Sequence, residues 1–400
     1  MKIYPFQAWR PRSSFVSQVA CVPYDVINTR EARLLAEGNP DSFLHVIRPE
    51  IDLDPSVDVH DDLVYEKGGA NLASLLASDR MIQDPGDSVY VYRLVMHGRE
   101  QTGVFTCVGV DDYDADRILK HEHTRPDKED DRTRHIISQQ AHAEPVMLIH
   151  QDNPAVDKLI TALKLDEPIY DFTLSDGVRH TIWKTQDVQP WLEAFDSVPL
   201  FYVADGHHRC KAASRASAEL DPHRRNPNAA YHRFPATVFA VSQMQILPYN
   251  RVIIDTSEDT IAQIWDIFTV IETGNDVPKN KGEVCIYAGG VWKTIRLHSS
   301  EGGVNPVQEL DAYRIQKQLF EPVFAISDPR TDQNIEFVGG IRGTAELCNR
   351  VDSGSASIAF SMYPTQVQEL LDVSDAGLLM PPKSTWFEPK LRSGLLIHTF

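Results

Sequence analysis

Cysteine is sparse in this chain, and its placement serves no familiar chemistry. Cys21, Cys107, Cys210, Cys285 and Cys348 are scattered over 400 residues with no C-x-x-C among them. A disulfide scaffold or a zinc ribbon is thereby disfavoured, and buried thiols in a reducing cytoplasm are the expectation. Apolar runs are short. Even Pro199 to Ala204 falls far below the roughly 18 residues a membrane helix needs. The opening MKIYPFQAWRP holds no secretory apolar region, because Pro5, Gln7, Arg10 and Pro11 interrupt it. Positive charge is scarce as well: 39 Lys+Arg against 57 Asp+Glu leave a formal net charge of -18. A protein that coats nucleic acid needs a basic face, so that class is disfavoured, whereas one small basic pocket for a nucleotide is not.

Several catalytic signatures are absent too. There is no G-x-x-x-x-G-K-[ST], no strand-borne G-x-G-x-x-G, no G-x-S-x-G, no H-E-x-x-H and no kinase H-R-D/D-F-G pair. P-loop, Rossmann, α/β-hydrolase and protein-kinase readings lose their main support. Internal repeats and low-complexity tracts are missing, and 42% hydrophobic with 24% charged residues excludes a mainly disordered chain.

What is present reads as hairpins mixed with amphipathic helices. Ser88 to Met96 and Gly103 to Val110 flank the polar HGREQ, and two further strand pairs flank Asp176-Gly177 and Gly289-Gly290. Helical periodicity marks 30–37, 127–143, 208–219, 256–268, 310–320 and 365–373. Hairpins without strict strand–helix alternation predict an α+β fold with mixed, hairpin-rich sheets and flanking helices. No linker stands out, so residues 1–400 read as one composite unit. A seam near residue 150 would divide an N-terminal α+β lobe (1–150) from a lobe of 151–400.

Chemistry concentrates in four places. The first is the apolar strand Leu200 to Ala204 running into Asp205-Gly206-His207-His208-Arg209 and then into a helix. A strand, a tight turn and a helix start suit an anionic oxygen, and Arg209 adds a planar fork expected to face ligand rather than to be packed. His207 or His208 can move a proton, and Asp205 can hold Mg²⁺, unless it merely caps the helix. The second is Lys120-His121-Glu122-His123-Thr124, followed by Asp131-Arg132 with His135 one turn on. Acid, base, hydroxyl and cation together exceed what a solvated charged helix start requires. The third is Val22 to Ile27, where Asp25 is the single carboxylate, either in a site or capping the next helix. The fourth is Met380 to Lys390, whose Lys383, Ser384 and Thr385 could meet a phosphate while Trp386 and Phe387 suit a core.

Together VPYDVI, KHExT…DR, ADGHHR and MPPKST-x-F-x-PK resemble, across nearly the whole chain, a bacterial domain family of unknown function. The DGHHR turn further resembles the signature turn of the ParB–sulfiredoxin superfamily, whose members bind nucleotides and include the free serine kinases. That resemblance implies a ParB/sulfiredoxin-like nucleotide-binding core. It places Asp205, His207, His208 and Arg209 around the phosphates and Mg²⁺ of ATP or ADP, and it implies transfer to the hydroxyl of free L-serine. The small kinases carry their catalytic glutamate shortly before this turn. Here Glu167 and Glu193 lack supporting motifs, a departure from that pattern.

The expectation is therefore a small-molecule kinase. Glu122 or Asp25 would be its base, with His121 and His207 beside them. Gly206, His208, Arg209, Lys120, Thr124, Arg132 and Lys383 would hold the nucleotide, and Asp205 the metal. All these segments are expected to converge on one cleft. Two alternatives stand beside it: a metal-dependent hydrolase built from His121, His123, His207, His208, Asp205 and Glu122, and a non-catalytic ParB-like nucleotide switch. The expected partners are a nucleotide and a small hydroxyl-bearing substrate, with neither nucleic acid nor membrane.

Overall fold

The computed structural model describes residues 1–299 and 305–400, which divide into two compact units. Unit 1 comprises Met1–Lys120, Thr124–Met244 and Pro389–Phe400, and unit 2 comprises His121–His123 and Gln245–Glu388. The seam expected near residue 150 instead meets a fully buried strand inside unit 1.

Unit 1 is built on one nine-stranded mixed sheet. Its strands are β1 (Ile3–Tyr4), β2 (Val89–Met96), β3 (Arg99–Gly109), β4 (Ile118–Leu119), β5 (Val146–His150), β6 (Tyr170–Thr173), β7 (Arg179–Thr185), β8 (Phe201–Asp205) and β9 (Arg233–Ala240). They lie in the order β4-β8-β5-β9-β3-β2-β7-β6, with β1 paired to β3. Two of the foreseen hairpins form here, β2/β3 and β6/β7, the second through Gly177 at positive φ. The pairs β8/β4 and β9/β5 run parallel, and their neighbours run antiparallel. Val104, Val146, Leu148, Phe201, Val203 and Phe234 are buried together in the core beside this sheet.

The longer helices of unit 1 are α1 (Thr29–Ala36), α2 (Asp62–Ala77), α3 (Pro126–Gln139), α4 (Pro154–Leu163), α5 (Gln189–Asp196) and α6 (His207–Leu220). Asn28 caps α1 in a reciprocal capping box with Glu31, which relieves Asp25 of the capping role open to it in the sequence. Pro126 opens α3 as foreseen. The helix stops at Gln139, short of the expected 143, because Gln140 turns left-handed at φ 48 and the chain enters a strand pairing at Ala141–His142. No helix among the described residues is long and apolar enough to cross a membrane.

Unit 2 holds a six-stranded sheet of β10 (Tyr249–Ile253), β11 (Val270–Thr273), β12 (Glu283–Ala288), β13 (Val291–Arg296), β14 (Ile335–Gly339) and β15 (Ile358–Met362), in the order β11-β13-β12-β15-β10-β14. The Gly289-Gly290 hairpin joins β12 to β13. Ile253, Ile286, Phe268, Phe320 and Phe360 form its core with the helices at 258–267 and 311–324. The foreseen helix at 310–320 is interrupted: Asp311–Ile315 is α-helical and Gln316–Phe320 is a π-turn.

The helix α2 has no clean periodic signature, since Gly68 and Gly69 sit at its centre. Their function is steric. A Cβ on Gly69 would stand 2.9 Å from the Ser138 carbonyl oxygen, so the glycine lets α2 approach α3. Gly69→Ala should therefore destabilise unit 1 by about 1–3 kcal/mol, although alanine is the better helix former by about 1 kcal/mol. Urea unfolding of the two proteins measures the sign; a more stable alanine variant would disprove close packing there.

Candidate functional site

The sequence Asp205-Gly206-His207 forms a bent junction between β8 and α6. Pairing of β8 with β5 shifts register between Val203 and Asp205, a bulge that re-aims the end of the strand. Gly206 follows at φ 102 as the N-cap of α6. This conformation suits glycine, and a Cβ there would also press on Val146 at 3.1 Å and on the Arg209 guanidinium at 3.2 Å. Since the cap has no side chain, the first-turn amides and the positive end of the helix dipole form an anion-attracting helix start. Asp205 is not the cap.

Asp205 instead anchors two cations. Its Oδ2 accepts from Arg209 Nη2 at 2.7 Å, and its Oδ1 accepts from Lys390 Nζ at 2.7 Å. Burial alone would raise its pKa, but Lys390 and Arg209 outweigh burial and hold the carboxyl well below the usual range. With both oxygens engaged by cations, Asp205 fits a charge anchor and does not fit the metal ligand expected from the sequence.

Arg209 is also corrected. Its side chain is only 8% exposed and therefore packed, not turned outward to ligand. Nη1 donates to the Pro145 carbonyl, Nη2 holds Asp205, and the Asp25 carboxylate lies 3.8 Å from Nη2. Burial opposes the guanidinium charge, but Asp25, Asp205 and Glu144 overcome it, so Arg209 stays cationic. Asp25 itself is 39% exposed, which makes it the accessible member of this group.

Arg132 is another buried cation of unit 1. Its guanidinium bonds Asp131 at 2.7 Å, lies 3.9 Å above the Tyr24 ring and stands 3.7 Å from Glu144 Oε2. Asp131 also accepts from Tyr65 Oη at 3.1 Å and faces His135 at 3.9 Å, on the helix face foreseen for that pair. Burial works against the Asp131 charge, yet Arg132 and His135 bring its carboxyl down to about 2. Glu144 behaves oppositely: burial dominates over Arg209 and Arg132 and pushes its carboxyl up. A cavity of about 30 Å³ is lined by Arg132, His135, His142, Glu144, Arg209 and Phe234 among others. It has room for a water-sized guest and not for a nucleotide, which needs a pocket of roughly 300 Å³ or more.

The remaining predicted residues divide. His207 is buried close enough to Asp205 to favour its charge, and His208 Nε2 accepts the Arg125 backbone N–H at 3.1 Å, tying α6 to the start of α3. Thr124 donates to Glu129 Oε1 at 2.5 Å. Lys120, expected at phosphate, pairs with Asp116 at 2.7 Å and lies 4.3 Å over the Tyr113 ring. His121 and Glu122 belong to unit 2, where the His121 carbonyl accepts the Met380 N–H at 2.8 Å. Lys383 also belongs to unit 2, its ammonium 5.5 Å over the Tyr249 ring.

Within unit 1 the structure thus joins Asp25, Arg132, Asp205, Gly206 and Arg209. It adds Glu144 and Lys390, which the sequence reading did not assign. Lys390 is the last residue of the Met380–Lys390 motif. Glu144 had one faint signal: a lone carboxylate ahead of Pro145 and the apolar run Val146 to Ile149.

A sequence profile described as "Protein of unknown function (DUF1015)" matches residues 3–313. The chain belongs to the DUF1015 family. No curated protein matches it. Among solved structures, this DUF1015 protein is similar to a free serine kinase in complex with AMP, at 13% identity and a TM-score of 0.38, over 73% of this chain and 91% of the other. It is also similar to a C-terminally truncated SbnI from Staphylococcus aureus, at 12% identity and a TM-score of 0.41, over 73% and 86%. A conserved hypothetical protein from Pyrococcus furiosus matches at 14% identity and a TM-score of 0.37, over 73% and 94%.

Two predictions follow from the site's electrostatics and packing. Burial holds His135 and His142 well below the 6.5 of free imidazole, and brings His180 to about 3 and His398 to about 4. The unfolded chain therefore takes up these protons first. This contribution is complete above pH ~6.5 and drains as pH falls toward ~4; Glu144, with its raised value, acts in the opposite sense. Tm measured from pH 7.5 down to 4.5 should fall steadily, before the acid range in which Asp131 protonates; a flat profile would contradict the burial. Separately, Arg209→Ala leaves Asp205 with Lys390, strips Asp25 of its neighbouring cation and strands the Pro145 carbonyl, with an expected loss of about 3 kcal/mol or more. Gly206→Val should cost about 1–3 kcal/mol through backbone strain alone. Denaturant midpoints rank the two.

Proposed function

We propose that this protein is a nucleotide-dependent kinase that phosphorylates the hydroxyl of a small molecule, with free L-serine as the acceptor. One observation carries the reading. The solvent-accessible Asp25 carboxylate stands 3.8 Å from Arg209, and Arg209 is locked to Asp205 beside the helix start entered through Gly206. An anion-attracting helix start and a proton acceptor in one unit are what phosphoryl transfer requires, since that chemistry is mostly positioning and charge stabilisation.

In this reading the first turn of α6, with Lys390 and the field of Arg209, receives the phosphates of ATP or ADP. His207 and His208, on that same turn, flank them. Asp25 accepts the proton as the serine Oγ attacks the terminal phosphorus. The phosphoanhydride bond breaks, and O-phosphoserine leaves with ADP or AMP. Mg²⁺ would arrive on the phosphates, keeping mostly phosphate and water oxygens as ligands. Since the cavity behind the turn is too small for a nucleotide, this reading sets the nucleotide on the outer side of the turn. Glu122 is retained as the alternative base.

The test is direct. Purified protein with ATP or ADP, Mg²⁺ and mixed amino acids should produce phosphoserine, read by mass spectrometry. Nucleotide hydrolysis without a phosphorylated acceptor would indicate a hydrolase instead. Asp25→Asn should retain nucleotide binding and lower turnover by about 10²-fold or more. Full turnover in that variant, with loss in Glu122→Gln, would reassign the base.

A further inference from the structure

Glu144 lies where four chain segments meet, and packing alone does not require a carboxylate there. It immediately precedes Pro145 and β5, and its side chain is 6% exposed. Its Oε1 accepts the Tyr24 backbone N–H at 3.1 Å and the Ser393 hydroxyl at 3.1 Å. Its Oε2 stands 3.7 Å from Arg132 Nη1, and the next carbonyl along the chain, that of Pro145, accepts from Arg209. Tyr24 directly precedes Asp25, and Ser393 lies three residues after Lys390. A single oxygen atom thus holds both the turn bearing the accessible carboxylate and the segment bearing the lysine on Asp205.

We propose that Glu144 is a positioning residue: it clamps the Asp25 turn and the Lys390 segment to the head of β5, and so fixes both charges around Arg209. The reaction this serves rests on the kinase reading; the clamp itself does not. A buried carboxylate is costly unless charged groups and hydrogen bonds compensate it. The groups acting on Glu144 supply this only in part. Arg209 on α6 and Arg132 on α3 favour its charge, and Asp25 opposes it. Its hydrogen bonds then matter most. Because both fall on Oε1, an amide carbonyl can reproduce them, whereas a methyl group cannot.

Hydrogen–deuterium exchange of the full chain separates these cases. In Glu144→Ala, peptides covering 22–27 and 389–396 should exchange faster by about tenfold or more, and Mg²⁺–ATP affinity should fall by a similar factor. Glu144→Gln should restore protection in both peptides and most of the affinity. Unchanged exchange in folded Glu144→Ala, or equal deprotection in both variants, would overturn the clamp. Should Glu144→Ala fail to fold, Ser393→Ala removes one bond only; it should loosen 389–396 and leave 22–27 protected, and a protected 389–396 would count against the proposal. If the clamp behaves as expected and the wild type phosphorylates no acceptor, the kinase reading fails alone. If the wild type makes phosphoserine while Glu144→Ala keeps both protection and turnover, the clamp fails alone.

Discussion

A guanidinium almost sealed from water must be neutralised on every side, and much of unit 1 is arranged around that requirement. Arg209 sits in the first turn of α6, so its charge is delivered to the end of β8 by helix geometry. Neutralising it draws in Asp205 from the same turn, Asp25 from the N-terminal region and the Pro145 carbonyl from the head of β5. Arg132 repeats the pattern with Asp131, Glu144 and the face of Tyr24. The two cations share Glu144 as a common neighbour. Removing either would leave carboxylates facing one another in a low-dielectric interior, which is why these positions behave as a network.

The bulge after Val203 has a chemical meaning within this network. A regular strand would continue its alternation and aim residue 205 by the pleat of the sheet. The shifted register with β5 releases the carboxylate from that alternation, and Gly206 then reverses the backbone into α6. Glycine adopts this turn without a steric penalty, and the ion pairs formed just beyond it hold the two elements together. Coupling of this kind, in which local irregularity is maintained by the partners it positions, is characteristic of functional sites.

Local signals in the sequence were strong wherever structure is local. Asp176-Gly177 and Gly289-Gly290 specify their hairpins through backbone conformation alone, and Pro126 announces α3. The Asp205–Arg209 turn was legible for the same reason, since strand, glycine and helix start are contiguous. Legibility failed where partners are distant. The helix around Gly68-Gly69 is hidden because Gly69 answers to Ser138, and Gly68 to Gln139, Pro49 and Val46, and neither to helix propensity. Glu144 and Lys390 take their significance from hydrogen-bond partners 120 to 249 positions away, and no periodicity encodes that. Arg209 reads as ligand-facing in the sequence because an arginine after a helix start looks exposed until its two acceptors, Asp205 and the Pro145 carbonyl, are known. Lys120 also has a local partner, Asp116, four residues upstream.

The interleaving of the two units bears on the order in which the protein can be made. Unit 2 interrupts unit 1 between Met244 and Pro389, so Asp205 and its partner Lys390 are separated by 185 positions. During synthesis the ribosome releases the Asp205–Arg209 turn long before the lysine exists. Until then Asp205 has Arg209 as its cation, and the edge of unit 1 destined for Pro389–Phe400 is uncovered. A nascent chain of this protein therefore holds its charge centre incomplete until translation has passed through the whole of unit 2. Its last assembly step is the docking of one short segment onto a scaffold formed much earlier.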